Sequence, residues 1–187
     1  PLLGGNAQFE YRPLLPASVS KRLSFSSCLF ALGVDGSISH GVDGVGGTGL
    51  NIRLIGFHYA SVTISDSIFY RNQAKNGANL HIFLSDPTSV ITIENVNSSK
   101  GVGLGSGFVI IGNGQRQSPG VSISYSRFEC NSNLLGEKFI SVIFGIVAII
   151  TGTTFNSSGI NVTQIMDDTP IVFTFSDCNF INSDTKT

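Results

Sequence analysis

One eight-residue phrase returns six times along the chain, and no other feature limits the possible folds so strongly. Its copies occupy 23–30, 62–69, 91–98, 121–128, 148–155 and 173–180, with starts 39, 29, 30, 27 and 25 residues apart. A period of this size suits one turn of a β-solenoid, and the longer first turn leaves room for a loop. The expected fold is therefore all-β: a parallel β-helix of about six coils running from residue 23 to 184.

Reading down the copies separates an inside from an outside. The first column is Leu23, Val62, Ile91, Val121, Ala148, Phe173 and the third is Phe25, Ile64, Ile93, Ile123, Ile150, Phe175, both apolar and predicted to point inward. The second column (Ser24, Thr63, Thr92, Ser122, Ile149, Thr174) and the fourth (Ser26, Ser65, Glu94, Ser124, Thr151, Ser176) are mainly hydroxylated and predicted to face water. That alternation is the period of two of a half-buried strand. The sixth column is small throughout (Cys28, Ser67, Val96, Ser126, Thr153, Cys178), which marks a tight bend or a narrow part of the interior.

The eighth column, Phe30, Phe69, Ser98, Phe128, Phe155 and Phe180, is aromatic in five of six coils. Strands in register lie about 4.8 Å apart, so these rings should stack, each contributing roughly 1.5 to 3 kcal/mol by burial. Ser98 is an unexplained gap. Asn72, Asn131 and Asn182 follow the column and are expected to form left-handed corners with stacked amides. Each coil then carries a second apolar strand entered through glycine, as in 46–54, 77–84, 105–111 and 136–143. No convincing helical period appears, and residues 1–22, with Pro13 and Pro16, read as an irregular segment or a partial preceding coil. Residues 23–187 form the repeat domain, expected to be a fragment of a longer solenoid because the pattern runs so close to both ends.

Composition narrows the partners. Charged residues are 12% of the chain and the net charge is -1, so the surface is largely hydroxyl and amide and offers no footprint for a nucleic acid. The most apolar run, 139–151, is 13 residues long, whereas a membrane-spanning helix needs about 20, so no membrane-spanning segment is expected.

The phrase Val62-Thr63-Ile64-Ser65-Asp66-Ser67-Ile68-Phe69-Tyr70-Arg71-Asn72, followed by Asn76-Gly77-Ala78-Asn79-Leu80-His81-Ile82, resembles the right-handed parallel β-helix, or pectin-lyase-like, superfamily. It is similar to the paired Phe-x-x-Asn and Gly-Gly-Ala-Ile motifs of polymorphic outer-membrane-protein repeats and of eukaryotic surface β-helix proteins. Phe128-Glu129-Cys130-Asn131 repeats the first half; Gly-Gly is complete only at Gly46-Gly47, and the last coil shortens the motif to Phe180-Ile181-Asn182. The resemblance implies a right-handed, single-stranded parallel β-helix solenoid and says little about activity.

Enzymes of this fold are mostly polysaccharide lyases and glycoside hydrolases, so acidic residues are the catalytic candidates. Asp167-Asp168 resembles the Asp-Asp of polygalacturonase-like enzymes, but Ser39-His40-Gly41 precedes it and no Arg-x-Lys follows, which leaves a polar turn before Pro170 as the plainer account. Asp66 and Glu94, on neighbouring coils, could approach as part of a calcium-dependent lyase site, but Tyr125 and Gly152 continue the Asp66 column, and two carboxylates without a third bind metal poorly. Gly44, Gly46 and Gly49 match G-x-G-x-x-G, yet a strand pattern follows where a phosphate cradle needs a helix. His40, His58 and His81 have no zinc-ligand spacing. No metal or other cofactor is expected.

Cys28 and Cys178 share a column five coils apart, on the order of 24 Å at one strand spacing per coil, and cannot pair; Cys130 lies in another column, so three free thiols are expected. Asn97, Asn156 and Asn161 open N-glycosylation sequons, of which Asn97 and Asn161 are the better candidates because Asn156 abuts the aromatic column. These features together point to a non-catalytic extracellular or cell-surface repeat domain for adhesion or glycan binding, its partners carbohydrate or another surface protein. The alternatives are a polysaccharide lyase or glycoside hydrolase, and a structural spacer. An exposed aromatic row, with Tyr59, Tyr70 and Tyr125 as members, would separate a binding wall from a spacer.

Overall fold

The computed structural model describes residues 7–11, 20–33, 49–54, 59–74, 79–84, 89–103, 108–112, 120–129, 132–133, 139–143, 147–157, 159–163 and 172–182. These residues form a parallel β-solenoid of six coils with three main walls. Wall A stacks Ala7–Tyr11, Leu50–Leu54, Leu80–Leu84, Phe108–Gly112, Phe139–Ile143 and Gly159–Thr163. Wall B stacks Ser20–Ser26, Tyr59–Ser65, Val90–Glu94, Gly120–Ser124, Val147–Thr151 and Val172–Ser176. Wall C stacks Leu29–Ala31, Ile68–Tyr70, Asn97–Ser99, Arg127–Glu129, Thr154–Asn156 and Asn179–Ile181. A short fourth ladder of Gln73–Ala74, Val102–Gly103 and Ser132–Asn133 follows wall C in the middle coils. Ala7–Tyr11, within the segment read as irregular or as a partial coil, supplies the first strand of wall A, pairing Phe9 with Ile52.

The phrase is two strands rather than one, and the fifth column explains the break. Ser27, Asp66, Asn95, Tyr125, Gly152 and Asp177 all have positive φ, so every coil makes a left-handed step between walls B and C. Gly, Asn and Asp tolerate that conformation best, and they fill four of the six positions. The step reorients the chain so that columns six and eight, like columns one and three, point into the core. The register then follows the predicted columns, with Val62 opposite Ile91, Ile64 opposite Ile93, and Phe155 between Phe128 and Phe180.

The aromatic column stacks as expected at both ends of the solenoid. Phe30 lies on Phe69 at 4.9 Å between centroids, Phe128 on Phe155 at 5.4 Å, and Phe155 on Phe180 at 4.9 Å. In the first coil Phe25 of wall B meets Phe9 of wall A and Phe30 of wall C edge to face, closing the triangular interior.

Ser98 interrupts the column because a buried amide cluster occupies that level. The Ser98 hydroxyl accepts from Asn79 Nδ2 at 3.1 Å, and Asn79 Oδ1 accepts from Asn72 Nδ2 at 2.9 Å. Asn72 also donates to the Phe30 carbonyl and accepts from the Gly33 amide at 2.8 Å. The left-handed corner expected at Asn72 falls instead on its neighbour Arg71, with counterparts at Leu32, Lys100, Ser157 and Asn182. Asn72 is a buried staple to the preceding coil, whereas Asn182 is a corner as expected; Asn131 lies outside the described residues.

Column six satisfies the backbone at the wall B to wall C step. Ser67 Oγ accepts from the Cys28 amide and donates to its own Ser65 carbonyl. Ser126 repeats this with Val96 and Ser124, and Thr153 with Ser126 and Thr151. The Cys28 and Cys178 thiols donate weakly to the Ser26 and Ser176 carbonyls. Both thiols are free and half-buried; Cys130 lies outside the described residues. Val96 alone in this column has no polar atom to offer the preceding coil.

Two stability measurements check this account by urea unfolding. Val96→Thr adds an acceptor facing the Ser67 amide and should leave stability unchanged or raise it by up to about 1 kcal/mol. Val62→Thr in column one should lose at least about 1 kcal/mol, and equal losses at the two sites would refute the hydroxyl ladder. At Gly49 a Cβ would run into the Asn79 carbonyl and the Asn72 amide, whereas at Gly120 it would meet only Val90 at 3.7 Å. Gly49→Ala should therefore cost about 1 to 3 kcal/mol and Gly120→Ala little; similar effects would remove the close approach from the account.

Candidate functional site

The sequence candidates separate once placed on the walls. Glu94 sits in the outward fourth column of wall B, opposite Ser65 and Ser124, while Asp66 sits at the left-handed step of the coil before. Both are exposed, and the Asp66 carboxylate accepts from Asn95 Nδ2 at 2.7 Å, the amide one position along the same column. The main-chain link between the pair runs from the Asp66 amide to the Glu94 carbonyl at 3.1 Å. Among the described residues, no three His, Cys, Asp or Glu side chains gather as a metal site. Asp167 and Asp168 lie outside the described residues, as do His40 and His58. A strand, not a helix, follows Gly49.

The sequons take different positions. Asn97 is exposed on the outer face of wall C. Asn156 is half-buried and donates its amide to Glu129 Oε1 at 3.4 Å, while Glu129 also pairs with Arg127 at 3.2 Å. Asn161 falls in the last strand of wall A.

The regular feature of the surface is wall B. Its outward columns place Ser24, Thr63, Thr92 and Ser122 in one row and Ser26, Ser65, Glu94, Ser124, Thr151 and Ser176 in the next. Each step along a row is one strand spacing, about 4.8 Å. Ser65 Oγ donates to Ser26 Oγ at 3.1 Å, so neighbouring hydroxyls are close enough to act together. Ile149, exposed, interrupts the first row before Thr174 resumes it. The three tyrosines do not form a row: Tyr59 begins a wall B strand, Tyr70 lies on wall C, and Tyr125 occupies the left-handed step, with its ring over Gly152.

Wall A holds a pair that spacing alone could not disclose. Asn51 and His81 are register neighbours on the side of the sheet away from Leu50, Ile52, Leu80 and Ile82, yet both are buried. His81 Nδ1 lies 3.0 Å from Asn51 Oδ1. Burial, and then the positive charge of Arg53, pulls the imidazole from its ordinary 6.5 down to about 4, so it is neutral at pH 7. With Nδ1–H donating to Asn51, His81 Nε2 and Asn51 Nδ2 have no hydrogen-bond partner among the described residues. Beside them Arg53 lies 5.9 Å from the centroid of the Phe83 ring.

No protein-family model matches the chain, and neither a curated protein nor a solved structure matches it. The finding that stands is architectural: parallel sheets of stacked strands forming a β-solenoid, with no family identified.

The buried imidazole fixes a pH dependence. The unfolded chain takes up a proton at this residue below about pH 6.5, and the folded chain only near pH 4. The stability tied to neutral His81 is complete above pH 6.5 and is lost as pH falls toward 4, by about 3 kcal/mol in all. Unfolding of the wild type and of His81→Gln across pH 4 to 7.5 should differ by this slope, whatever their absolute stabilities; parallel curves would show that His81 does not titrate this way.

Proposed function

We propose that this chain is a non-catalytic repeat domain of an extracellular or cell-surface β-helix protein, of the pectin-lyase-like kind, and that wall B contacts glycans or an apposed surface. The supporting observation is the pair of outward hydroxyl rows on wall B, one step per coil. Each hydroxyl both donates and accepts, as each sugar hydroxyl does. A chain of pyranose units laid along the solenoid axis meets a fresh hydroxyl about every strand spacing. Single hydrogen bonds of this kind are worth only about 0.5 to 1.5 kcal/mol, so binding grows with the number of coils engaged. Low charge fits a neutral or weakly acidic glycan better than a polyphosphate.

Affinity electrophoresis through gels containing neutral or acidic polysaccharides tests this role. At least one polysaccharide should retard the chain, and the triple variant Thr63→Ala, Thr92→Ala, Ser122→Ala should weaken that retardation at least tenfold, about 1.4 kcal/mol or more. Equal retardation of the variant would move the contact off wall B. Release of new reducing or unsaturated ends, abolished by Asp66→Ala, would replace binding by catalysis.

A further inference from the structure

Wall C carries a surface of a different chemistry, and it begins at the first coil. Leu29 and Ile68, register neighbours in the outward seventh column, are 68% and 47% exposed, and Leu32 at the corner beyond is 66% exposed. Ala31 and Tyr70 lie beside them in the ninth column, so five apolar or aromatic side chains form one continuous patch on two adjacent coils. A contiguous patch of this kind marks an interaction surface, whereas single exposed leucines do not.

Two cations border it on one side. Arg71 Cζ and Lys100 Nζ lie 5.8 and 5.7 Å from the Tyr70 ring centroid, held near each other by the ring they share. Both are exposed, and neither is ion-paired with a described carboxylate. One coil further on, Arg127 is already paired with Glu129, so the unbalanced positive charge stays next to the apolar patch. From the third coil on, the same outward columns carry Asn97, Ser99, Thr154 and Asn156, and the last coil brings Asn179 and the exposed Ile181.

An apolar centre with an aromatic and an arginine at its edge has the anatomy of a protein-binding surface. A polysaccharide is a poor occupant, because its hydroxyls would lose water against Leu29, Leu32 and Ile68 without gaining partners. We infer that the outer face of wall C over the first two coils, with Lys100 of the third at its edge, docks a protein segment in which apolar side chains are flanked by carboxylates: the apolar groups cover Leu29, Leu32 and Ile68, and the acids meet Arg71 and Lys100. This surface is separate from the hydroxyl rows of wall B and does not depend on the role proposed for them.

The test uses the full chain made in a non-glycosylating host, so that Asn97 stays bare. Fluorescence anisotropy is read with four probes: a labelled peptide alternating leucine with glutamate, its glutamine and lysine counterparts, and a labelled polyuronate. The glutamate peptide should bind at least tenfold more tightly than the glutamine peptide, and the lysine peptide should not bind. Arg71→Glu with Lys100→Glu should reverse the preference to the lysine peptide, and Ile68→Asp should weaken the glutamate peptide at least tenfold. The wall B triple variant should bind the peptide as the wild type does, which keeps this outcome distinct from any result with polysaccharides. Equal binding of the three peptides, no binding of any, stronger binding of the polyuronate, or an unchanged preference after charge reversal would each overturn the docking surface.

Discussion

Every feature of this molecule depends on strand stacked upon strand in parallel register. Backbone hydrogen bonds between coils hold each residue over its counterpart one turn away, so a property repeated in the sequence becomes a line in space. The left-handed residue at the fifth column keeps that arrangement closed, because it lets the chain turn from wall B to wall C and still present the next apolar residues inward. Replicated six times, one local backbone choice gives a core of Val, Ile, Leu and Phe with hydroxyl rows outside.

The interior is not uniformly apolar, and its polar atoms are arranged by the same repetition. Ser67, Ser126 and Thr153 take the amide of the previous coil and return a bond to their own, so the hydroxyls serve the backbone where the ladder of wall B ends. Asn72, Asn79 and Ser98 do this on a larger scale, tying together parts of the chain far apart in sequence. Asn51 and His81 are the exception, each leaving a buried nitrogen unpartnered, which makes that spot the most costly polar burial among the described residues.

Much of this was legible from the columns. Positions one, three and eight could be assigned inward because alternation and β-branched or aromatic composition agreed in nearly every coil, and stacking made the inference cumulative. Positions whose roles depend on a single coil were not legible. Asn72 looked like a corner because Asn favours positive φ, but the corner belongs to Arg71, and only the neighbouring Asn79 and Gly33 explain why the amide turns inward. The burial of His81 on the outer side of wall A breaks the alternation that predicts exposure, and a pattern argument cannot foresee its own exception. For the site the limit was similar: Asp66 and Glu94 were rightly placed on neighbouring coils, while the Asn95 partner of Asp66 and the cations around Tyr70 emerge only when columns are read across walls.

The break at Ser98 has a consequence for how the stack finds its alignment. A column made only of phenylalanines would be satisfied equally well by a coil paired with the wrong neighbour, since one ring stacks on another whichever turn supplies it. Ser98 lies between Phe69 and Phe128 and is the partner of Asn79. A coil slipped by one turn would set a ring against that amide and take away the Ser98 hydroxyl, one of the acceptors its nitrogen uses beside the Ser99 carbonyl. The odd coil thus acts as a key cut into an otherwise repetitive spine, giving a periodic chain a unique way to count its own turns.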